Sequence, residues 1–504
     1  MVPSATHMEG GQQAPDLDPE LSSGAMKINP RKLEKVPWEH SGKHPGSRPF
    51  WAILLWAVDI AWSIIFRKAH IDKTPDSDGG TVFASIHING LVDPLAIVKS
   101  QRRPFVSIGR HDIMTMPVIG WMTRRMGSQP VIRRAELKGG VSDPEFAAKI
   151  NQRSMLTMAN CIASGHPAVV MPEGKSHQDS KLHALRTGTL RFTLNAASIA
   201  HEKGLPVPVI QPVGLHYRCH HWFRTEAYIE FGEPIEIPIV DDSLHSAKLA
   251  DGEWTEPPAE HVIPLRDELY EKLSVITPDA PDWETYRAWK LIAHLKANQD
   301  EKPLTSLSQE VHATRRIRNE INKNDKYLEL IPYATDAAKA LHSYDLDANC
   351  LNQDQKLKKM NFSTFFIAFI GIFLMALSSI PAIVGSGFQS LLARYMVEGS
   401  DEGLDARTTY FFLAGMFSPV IFWPIISLIL IPILGINFVS LQGILSFVFI
   451  IFVFYVSSLI FLLGYDYWSK FRQIVKISNF SKSPAGDEFK ILIEKLNTQL
   501  GPLK

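Results

Sequence analysis

The chain has 504 residues, with 52 lysines and arginines against 52 aspartates and glutamates, and 45% of its residues are hydrophobic while 21% are charged. This balance excludes the basic footprint typical of nucleic-acid binding, and the length predicts two or more structural units. Three cysteines, Cys161, Cys219 and Cys350, are too few for a disulfide framework, which fits a reducing compartment or a cytosol-facing domain.

The N-terminal segment, residues 1–48, is rich in Pro, Gly, Ser and charge without periodicity, which predicts a disordered leader. The first apolar run is Phe50–Phe66, so no signal peptide is expected. That run is rich in tryptophan, contains Asp59 and is short for a membrane crossing. We therefore expect residues 49–70 to form an interfacial helix that lies against a membrane.

Residues 71–250 alternate between short β-rich runs and helical stretches, which predicts an α/β domain with a mixed sheet flanked by helices. Residues 251–355 have a helical and highly charged pattern, and we interpret them as a connector. The predicted strands are Thr81–Ile86, Ala168–Met171, Val207–Val213 and Ala227–Phe231, and the predicted helices are Asp93–Lys99, Ala147–Ala163 and Thr187–His201.

The C-terminal third is strongly apolar, with no charged residue from Phe362 to Ala393 or from Thr408 to Tyr465. Such runs predict that residues 356–469 are an all-α transmembrane region of two or three spans. Basic residues flank the region on both ends, which places the connector and the tail, residues 470–504, in the cytosol. This conflicts with three crossings, and a re-entrant middle segment or a membrane-dipping N-terminal helix would remove the conflict.

The first motif with chemical potential runs from His87 to Pro94, directly after a predicted strand. Gly90 in the turn can bring the imidazole of His87 to the carboxylate of Asp93. The carboxylate would then hold the ring tautomer and stabilise the imidazolium as the other ring nitrogen takes a proton. Taken alone, such a spacing is more often a turn residue followed by a helix N-cap.

The second motif is Met171–His177, which also follows an apolar strand. Glu173 and Gly174 beside a lysine and a serine can form a polar wall for an anionic group, and Arg186 can add a charge. The alternative is a strand-to-loop turn with solvated charge.

Two further segments complete the set. Gly127–Arg134 is an apolar segment that delivers paired arginines. A planar guanidinium suits bidentate phosphate contact, although exposed arginine pairs are more often simple surface charge. Leu205–Gly214 is a proline-punctuated strand, which by itself indicates only a buried strand.

In this order the four segments resemble the glycerolipid acyltransferase superfamily, whose motifs are a histidine–aspartate pair, a Gly…Arg segment, a Pro-Glu-Gly loop and a proline-bearing strand. Phe231–Ile235 looks like the strand that closes the family's catalytic domain. Ala280–Thr285 and Asp405–Thr409 are similar to the subgroup of fungal glycerol-3-phosphate/dihydroxyacetone-phosphate acyltransferases and their bacterial relatives. The resemblance covers roughly Phe50 to the C-terminal membrane region. Five residues separate the histidine and aspartate here, where most of the superfamily has four.

The resemblance implies that His87 is the general base that deprotonates the acceptor hydroxyl and that Asp93 orients it. The other residues that it implies are the acceptor- and phosphate-binding group Arg133, Glu173, Gly174 and Arg186 and the acyl-side residues Pro206 and Pro208.

The activity that the resemblance implies is acylation of the sn-1 hydroxyl of glycerol 3-phosphate by acyl-CoA, or by acyl carrier protein in a bacterium, with dihydroxyacetone phosphate as a second acceptor. A thioester is already activated, so direct transfer requires no metal or other cofactor. The rival mechanism is a covalent acyl-enzyme through Ser85. The rival acceptor is 1-acylglycerol 3-phosphate or another lysophospholipid, and the distant alternative is a non-catalytic membrane scaffold or transporter.

The expected partners are the acyl donor, the phosphorylated glycerol acceptor and the lipid bilayer, without nucleic acid. We expect an integral membrane protein whose catalytic domain faces the cytosol, at the endoplasmic reticulum in a eukaryote or the inner or plasma membrane in a bacterium.

The remaining histidines have simpler interpretations. His177 and His183 are predicted to be loop structure. Four residues at a strand end could be read as metal ligands, but without a second ligand pair a polar strand end near the membrane is favoured. These four are His216, Cys219, His220 and His221.

Overall fold

The computed structural model describes residues 26–219, 222–240, 242–321, 323, 328–398 and 404–500. The predicted mixed sheet flanked by helices is confirmed. Within these residues the sheet has eight strands in the order β1-β7-β6-β2-β5-β3-β4, with β8 beside β6. The strands are β1 (Phe66–Ile71), β2 (Thr81–Ser85), β3 (Val106–Arg110), β4 (Gln129–Val131), β5 (Ala168–Val170), β6 (Val209–Tyr217), β7 (Thr225–Phe231) and β8 (Ile235–Glu236).

The helices divide into those of the α/β domain, those of a second helical domain and those of the apolar region. The first group is α1 (Pro30–Leu33), α2 (Arg48–Ile65), α3 (Val92–Gln101), α4 (His111–Thr115), α5 (Pro117–Met126), α6 (Arg134–Lys138), α7 (Pro144–Ala163), α8 (Gly188–Glu202), α9 (Ser243–Ala250) and α10 (Ala259–Ile276). The second is α11 (Trp283–Gln299), α12 (Leu307–Ile321) and α13 (Ile331–His342), followed by a 3₁₀ turn at Ala348–Cys350. The third is α14 (Phe362–Glu398), α15 (Leu404–Phe417), a π-helical turn at Ser418–Phe422, α16 (Trp423–Ile433) and α17 (Leu441–Ser481), after which α18 (Pro484–Leu500) rejoins the helical domain.

Both faces of the sheet are covered, which explains why its central strands are continuous apolar runs. One face packs against α7, α8 and α10, and the other packs against α2, α3 and α15. Helix α7 begins where the local sequence predicts it, because Pro144 fixes the first turn and the Asp143 carboxylate accepts a 3.0 Å hydrogen bond from the Phe146 amide. Since α10 belongs to this core, the α/β domain extends beyond residue 250 to Ile276.

The leader differs from the prediction where the structure describes it. Residues 26–48 pack against the α/β domain instead of being disordered, with Leu33 buried beside Ile132 and Val141. The apolar residues Leu33 and Val36 are spaced so that one short turn of chain buries both. Residues 1–25 of the predicted leader lie outside the described residues.

The predicted connector is a domain with its own core. Helices α11, α12 and α13 bury their apolar faces together with α18 from the C-terminal tail. Leu357, which precedes α14, and Ile477 and Phe480, at the end of α17, lie in this same core. The beginning of α14 and the end of α17 therefore lie at the same place.

Among the described residues, four helical segments are long and apolar enough to cross a membrane: Arg48–Ile65, Phe362–Glu398, Arg407–Ile433 and Leu441–Ser481. Helices α14 and α17 are antiparallel, because Gly371 lies against Gly464 and Trp468 while Gly385 lies against Phe454. A Cβ atom at Gly371 would sit 2.8 Å from the Trp468 amide nitrogen, so the close approach depends on glycine.

A buried ion cluster joins the apolar region to the α/β domain. Asp466 of α17 pairs with Arg224, and Oδ1 of Asp466 lies 3.1 Å from Nε of Arg67. Arg224 also donates to the Ile64 and Phe66 carbonyl oxygens, both at 3.2 Å, at the end of α2. One carboxylate therefore fixes α17, α2 and the start of β7 relative to one another.

Replacing Asp466 by Asn should destabilise the protein, because Arg224 is buried and would lose its counter-charge. Removing one partner of a buried ion pair costs about 3 kcal/mol, which should lower the Tm in detergent by several degrees. Asp487 pairs with Lys490 at an exposed position, so Asp487→Asn is the matched control and should leave Tm unchanged. Equal shifts in the two variants would contradict the role of Asp466.

A second buried carboxylate, Glu230 of β7, joins the sheet to α12. Its Oε1 receives a 2.6 Å hydrogen bond from Nε2 of His216, and Arg315 of α12 pairs with both oxygens. Burial by itself would raise the pKa of Glu230, but His216 and Arg315 outweigh it and lower the pKa to about 2. The ionised carboxylate is thus the form that the folded state favours.

The lowered pKa of Glu230 predicts how stability changes in acid. A carboxyl whose pKa falls on folding contributes stability above its ordinary value of 4.5, and this contribution is lost as the pH falls towards 2. We expect Tm of the wild type to exceed that of Glu230→Gln at pH 6 and the gap to narrow steadily between pH 4.5 and pH 3. A gap that is constant over this range would show that the carboxylate is not linked to folding.

Candidate active site

The candidate site lies along one edge of the sheet. Strands β6, β2, β5, β3 and β4 are parallel, so their carboxyl ends meet at the same edge, where ligands of open α/β sheets usually bind. In strand order the residues at that edge are Tyr217, His87, Glu173, Arg110 and Arg133. Neighbouring strands are about 4.8 Å apart, so this row is about 20 Å long.

His87 and Asp93 are in contact despite the five residues between them. The turn closes because Gly90 adopts φ +45°, and Nδ1 of His87 lies 3.1 Å from Oδ2 of Asp93. The same oxygen accepts hydrogen bonds from the Ile88 and Asn89 amides at 2.8 and 2.7 Å. Asp93 is fully buried, whereas the His87 side chain is 20% exposed, so the ring can meet a ligand while its partner cannot.

This arrangement determines which ring nitrogen of His87 is available. Asp93 accepts from Nδ1–H, which leaves the Nε2 lone pair to take a proton. Nε2 makes no hydrogen bond within the described part of the chain.

Tyr217 is a member of the site that sequence reasoning missed. Its hydroxyl donates a 2.9 Å hydrogen bond to Oδ1 of Asp93. Burial, together with the neighbouring Asp93 carboxylate, raises the pKa of the Tyr217 hydroxyl well above its ordinary value, so the hydroxyl remains a donor. In the sequence, Tyr217 follows shortly after the proline-punctuated segment Leu205–Gly214 and ends the same strand, β6. That position was the available indication that it belongs to the site.

Glu173 is a positioning residue for His87. Its fully buried carboxylate accepts from the His87 amide at 2.9 Å on Oε2, and on Oε1 from Nε2 of His177 at 2.9 Å and the His183 amide at 2.7 Å. The His177 amide in turn donates to the His87 carbonyl at 3.0 Å. The loop after β5 therefore hydrogen-bonds both the amide and the carbonyl of His87.

Gly174 and Arg186 lie side by side in that loop. Gly174 adopts φ +78°, which only glycine adopts easily, and its amide donates to the Met171 carbonyl at 3.0 Å. A Cβ atom on Gly174 would sit 3.3 Å from Cγ of Arg186. The Arg186 amide is tied to the Pro172 carbonyl at 2.7 Å, so this cation is held beside the Pro-Glu-Gly turn.

Arg133 lies at the far end of the row, three strands from His87. Its Nε and Nη2 are 2.8 and 2.7 Å from Oε1 of Glu136, whose other oxygen accepts from the Arg133 amide at 2.6 Å. Glu136 is fully buried while the Arg133 side chain is 18% exposed. An anion at this position would therefore share a guanidinium that Glu136 already orients.

Pro206 and Pro208 are not brought to the site. They precede β6, and Val209, the first residue of that strand, pairs with Thr81 at the start of β2. Because β2 and β6 are parallel, both prolines lie at the end of the sheet opposite to His87. The expectation that they line the acyl side is thus corrected by the direction of the strands.

Glu173, His177 and His183 are close enough to be considered as metal ligands, with ligand atoms within 4.8 Å of one another. The two rings stack with centroids 3.9 Å apart and planes 7° apart. An imidazole lone pair lies in the ring plane, so stacked parallel rings do not direct both lone pairs at one ion. Nε2 of His183 also bonds Asp179 at 2.7 Å, which agrees with the interpretation of both histidines as loop structure.

The histidine group at the end of β6 is only partly described. Nε2 of His216 bonds Glu230, and the Cys219 amide bonds Oγ1 of Thr225 at 3.2 Å. His220 and His221 lie outside the described residues.

The apolar region reaches the turn between β2 and α3 directly. The Leu91 amide, between His87 and Asp93 in the chain, donates a 3.1 Å hydrogen bond to Oγ1 of Thr409 at the start of α15. Phe412 of the same helix is fully buried in the domain core and its ring lies 6.5 Å from that of Trp62.

The match to a known family covers this site. Residues 67–215 match the model of the family named Acyltransferase. This span runs from β1 into β6 and includes the histidine–aspartate turn, the Pro-Glu-Gly loop and Arg133. The chain thus carries an acyltransferase domain, and the resemblance read from its motifs is confirmed.

Among curated proteins, the chain is 28% identical over 324 residues to Glycerol-3-phosphate O-acyltransferase 1 of Saccharomyces cerevisiae, covering 59% of this chain and 40% of that protein. It is 32% identical over 116 residues to Glycerol-3-phosphate O-acyltransferase 2 of the same yeast, covering 23% and 14%. A solved structure, the 1-acyl-sn-glycerophosphate (LPA) acyltransferase PlsC from Thermotoga maritima, aligns at 13% identity over 44% of this chain and 77% of that chain, with a TM-score of 0.27. The chain spans less than half the length of the curated relatives it matches.

Replacing Tyr217 by Phe should slow acyl transfer about 10-fold without unfolding the protein. The change removes one donor to Asp93, and a net hydrogen bond to a charged group contributes about 1.5 kcal/mol or more. Tyr228→Phe is the matched control, because that buried tyrosine bonds Asp72 instead. Initial rates in reconstituted membranes measure the effect, and equal rates in the two variants would contradict it.

Proposed function

We propose that this chain is a membrane-bound O-acyltransferase that moves a fatty acyl group from acyl-CoA, or from acyl carrier protein in a bacterium, to the sn-1 hydroxyl of glycerol 3-phosphate. The proposal includes dihydroxyacetone phosphate as a second acceptor. The observation that carries the proposal is the His87–Asp93 pair, with Nε2 of His87 available at the carboxyl edge of the sheet. The acyltransferase domain and the two yeast relatives support the reaction class.

In the proposed reaction, Nε2 of His87 takes the proton of the acceptor hydroxyl as its oxygen attacks the thioester carbonyl. Asp93 stabilises the imidazolium that forms. The tetrahedral oxyanion then collapses, the C–S bond breaks, and the departing thiolate takes the proton from His87. The chain supplies proximity and a base, and no prosthetic group takes part.

A covalent route through Ser85 is disfavoured. Ser85 is the last residue of β2 and is fully buried, so its hydroxyl cannot meet a thioester without disruption of the sheet. The exposed edge of His87 supports direct transfer between two bound substrates.

The phosphate of the acceptor would bind at the cationic side of the row. Arg186 lies beside the Pro-Glu-Gly turn, and Arg133 stands further along the edge. Guanidinium groups match phosphate in charge and shape. Glu173 contributes by holding His87 rather than by meeting the acceptor.

A second candidate acceptor is 1-acylglycerol 3-phosphate or a related lysophospholipid. It is favoured by one specific contact, the hydrogen bond from the Leu91 amide to Thr409. This contact sets an apolar helix against the catalytic turn, where an acceptor that resides in the bilayer could approach.

The proposal includes a membrane arrangement. Helices α14 and α17 would be the two crossings. They are antiparallel, and the beginning of α14 and the end of α17 both lie at the core of the helical domain. The segment α15–α16 connects the other ends of this pair and is broken at Ser418–Phe422, where Pro419 interrupts the α-helix. It would therefore be re-entrant, and the two domains would face the cytosol together.

Replacing His87 by Ala should lower acyl transfer by about 10²- to 10⁴-fold, the usual contribution of a general base. The assay uses membranes with equal amounts of each protein and radiolabelled acceptor. His201→Ala is the control, because His201 is exposed on α8 and remote from the carboxyl edge. Retained activity in His87→Ala would contradict the proposed general-base mechanism.

A direct comparison of acceptors tests the substrate. Purified protein is given acyl-CoA with glycerol 3-phosphate, dihydroxyacetone phosphate or 1-acylglycerol 3-phosphate, and kcat/KM is measured for each. We expect glycerol 3-phosphate to give the highest value. A preference for the lysophospholipid would replace the leading proposal by the second candidate, and transfer to none of them would refute both.

A further inference from the structure

An exposed apolar run covers the beginning of α5, in the middle of the acyltransferase domain. Met116, Val118, Ile119 and Trp121 leave 46%, 60%, 39% and 49% of their surfaces exposed. Large apolar side chains that are exposed next to one another on the surface of a domain usually mark an interaction site. The helix has 10 residues, which is too short to cross a bilayer.

This run continues an exposed face of α2. Ile53 and Trp56, three residues apart on that helix, are each 50% exposed, and this spacing places them on the same helical face. The ring of Phe50 meets the ring of Trp121 edge-on, with centroids 5.5 Å apart. The exposed residues of α2 and α5 therefore form one continuous patch, which we call the α2–α5 surface.

Two hydrogen bonds fix the helices of this surface to each other. The Trp51 indole donates to the Met126 carbonyl at 2.9 Å, and the Ser47 amide donates to the Arg125 carbonyl at 2.8 Å. These bonds join the N-terminus of α2 to the C-terminus of α5. The α2–α5 surface is thus a rigid feature of the domain.

Cations border the apolar patch. Arg48, at the beginning of α2, and Arg125, near the end of α5, are both exposed. The guanidinium of Arg125 lies 5.6 Å from the centre of the Trp121 ring. Aliphatic and aromatic residues with a cationic border are typical of surfaces that lie among the headgroups of a membrane.

We propose that the α2–α5 surface lies in the headgroup region of an anionic phospholipid bilayer and that α5 is a second interfacial anchor of the domain. A bilayer fits better than a protein partner because α2, which carries part of this surface, also packs against α15 of the apolar region. The buried face of α2 packs against α15. A Cβ atom added to Gly415 of α15 would lie 3.4 Å from Cα and Cβ of Ala61 on α2. The inference does not rest on the proposed reaction.

The position of α5 gives this anchor a consequence for the site. Helix α4 begins directly after β3 at the carboxyl edge of the sheet, and α5 follows it. The anchor therefore holds the Arg110 end of the row of site residues at the membrane surface.

The test places a fluorescent probe on the surface. The full chain carries Cys219→Ser, since Cys161 and Cys350 are buried, and Val118→Cys is labelled with NBD. The labelled protein is reconstituted in nanodiscs of phosphatidylcholine and phosphatidylserine. Quenching is measured with a lipid that carries a doxyl group near the headgroup and, separately, with iodide in the aqueous phase.

The matched control is Leu244→Cys in the same background, because Leu244 is 64% exposed on α9, which packs against α8 on the other face of the sheet. We expect the probe at residue 118 to be quenched several-fold more by the doxyl lipid than the probe at residue 244, and several-fold less by iodide. Trp56→Cys should behave like Val118→Cys.

Equal quenching of the probes at residues 118 and 244 by iodide would overturn the proposal. So would lipid quenching at residue 56 without lipid quenching at residue 118, because α2 alone would then be the anchor. Val118 is exposed, so the substitution leaves the core intact, and neither result depends on acyl transfer.

Discussion

The site depends on one buried carboxylate, that of Asp93. Four donors converge on it: the ring of His87, the amides of Ile88 and Asn89 and the hydroxyl of Tyr217. A buried charge is tolerated only when its hydrogen bonds are supplied. Those bonds order the turn after β2 and fix the direction of the His87 ring.

Other buried carboxylates join parts of the chain that are far apart in sequence. Glu173 connects the loop after β5 to the backbone of His87. Glu230 connects the sheet to α12, and Asp466 connects α17 to the end of α2. Because each would be left uncompensated if its partners moved away, these groups hold the acyltransferase domain, the helical domain and the apolar helices in one arrangement.

The extent to which this arrangement was predictable follows from the range of each interaction. Strands β2, β5, β6 and β7 and helices α3, α7 and α8 lie within a few residues of where local patterns predict them, since apolar runs, caps and turns are local signals. The packed segment 26–48 was missed because its anchoring residue Leu33 meets Ile132 and Val141, more than ninety positions away. No periodicity within the segment reports that contact.

The class of fold, the apolar region and the contact between His87 and Asp93 were predictable from the sequence, because strand–turn–helix patterns and long uncharged runs are properties of neighbouring residues. Which end of each strand faces the site became clear only from the fold. The fold brought Tyr217 to Asp93, placed Pro206 and Pro208 at the opposite edge, and set Thr409 against the turn between β2 and α3. Strand direction and helix docking depend on side chains that contact one another across the core. Contacts between residues that are far apart in the chain produce no local sequence pattern, so they cannot be predicted from spacing.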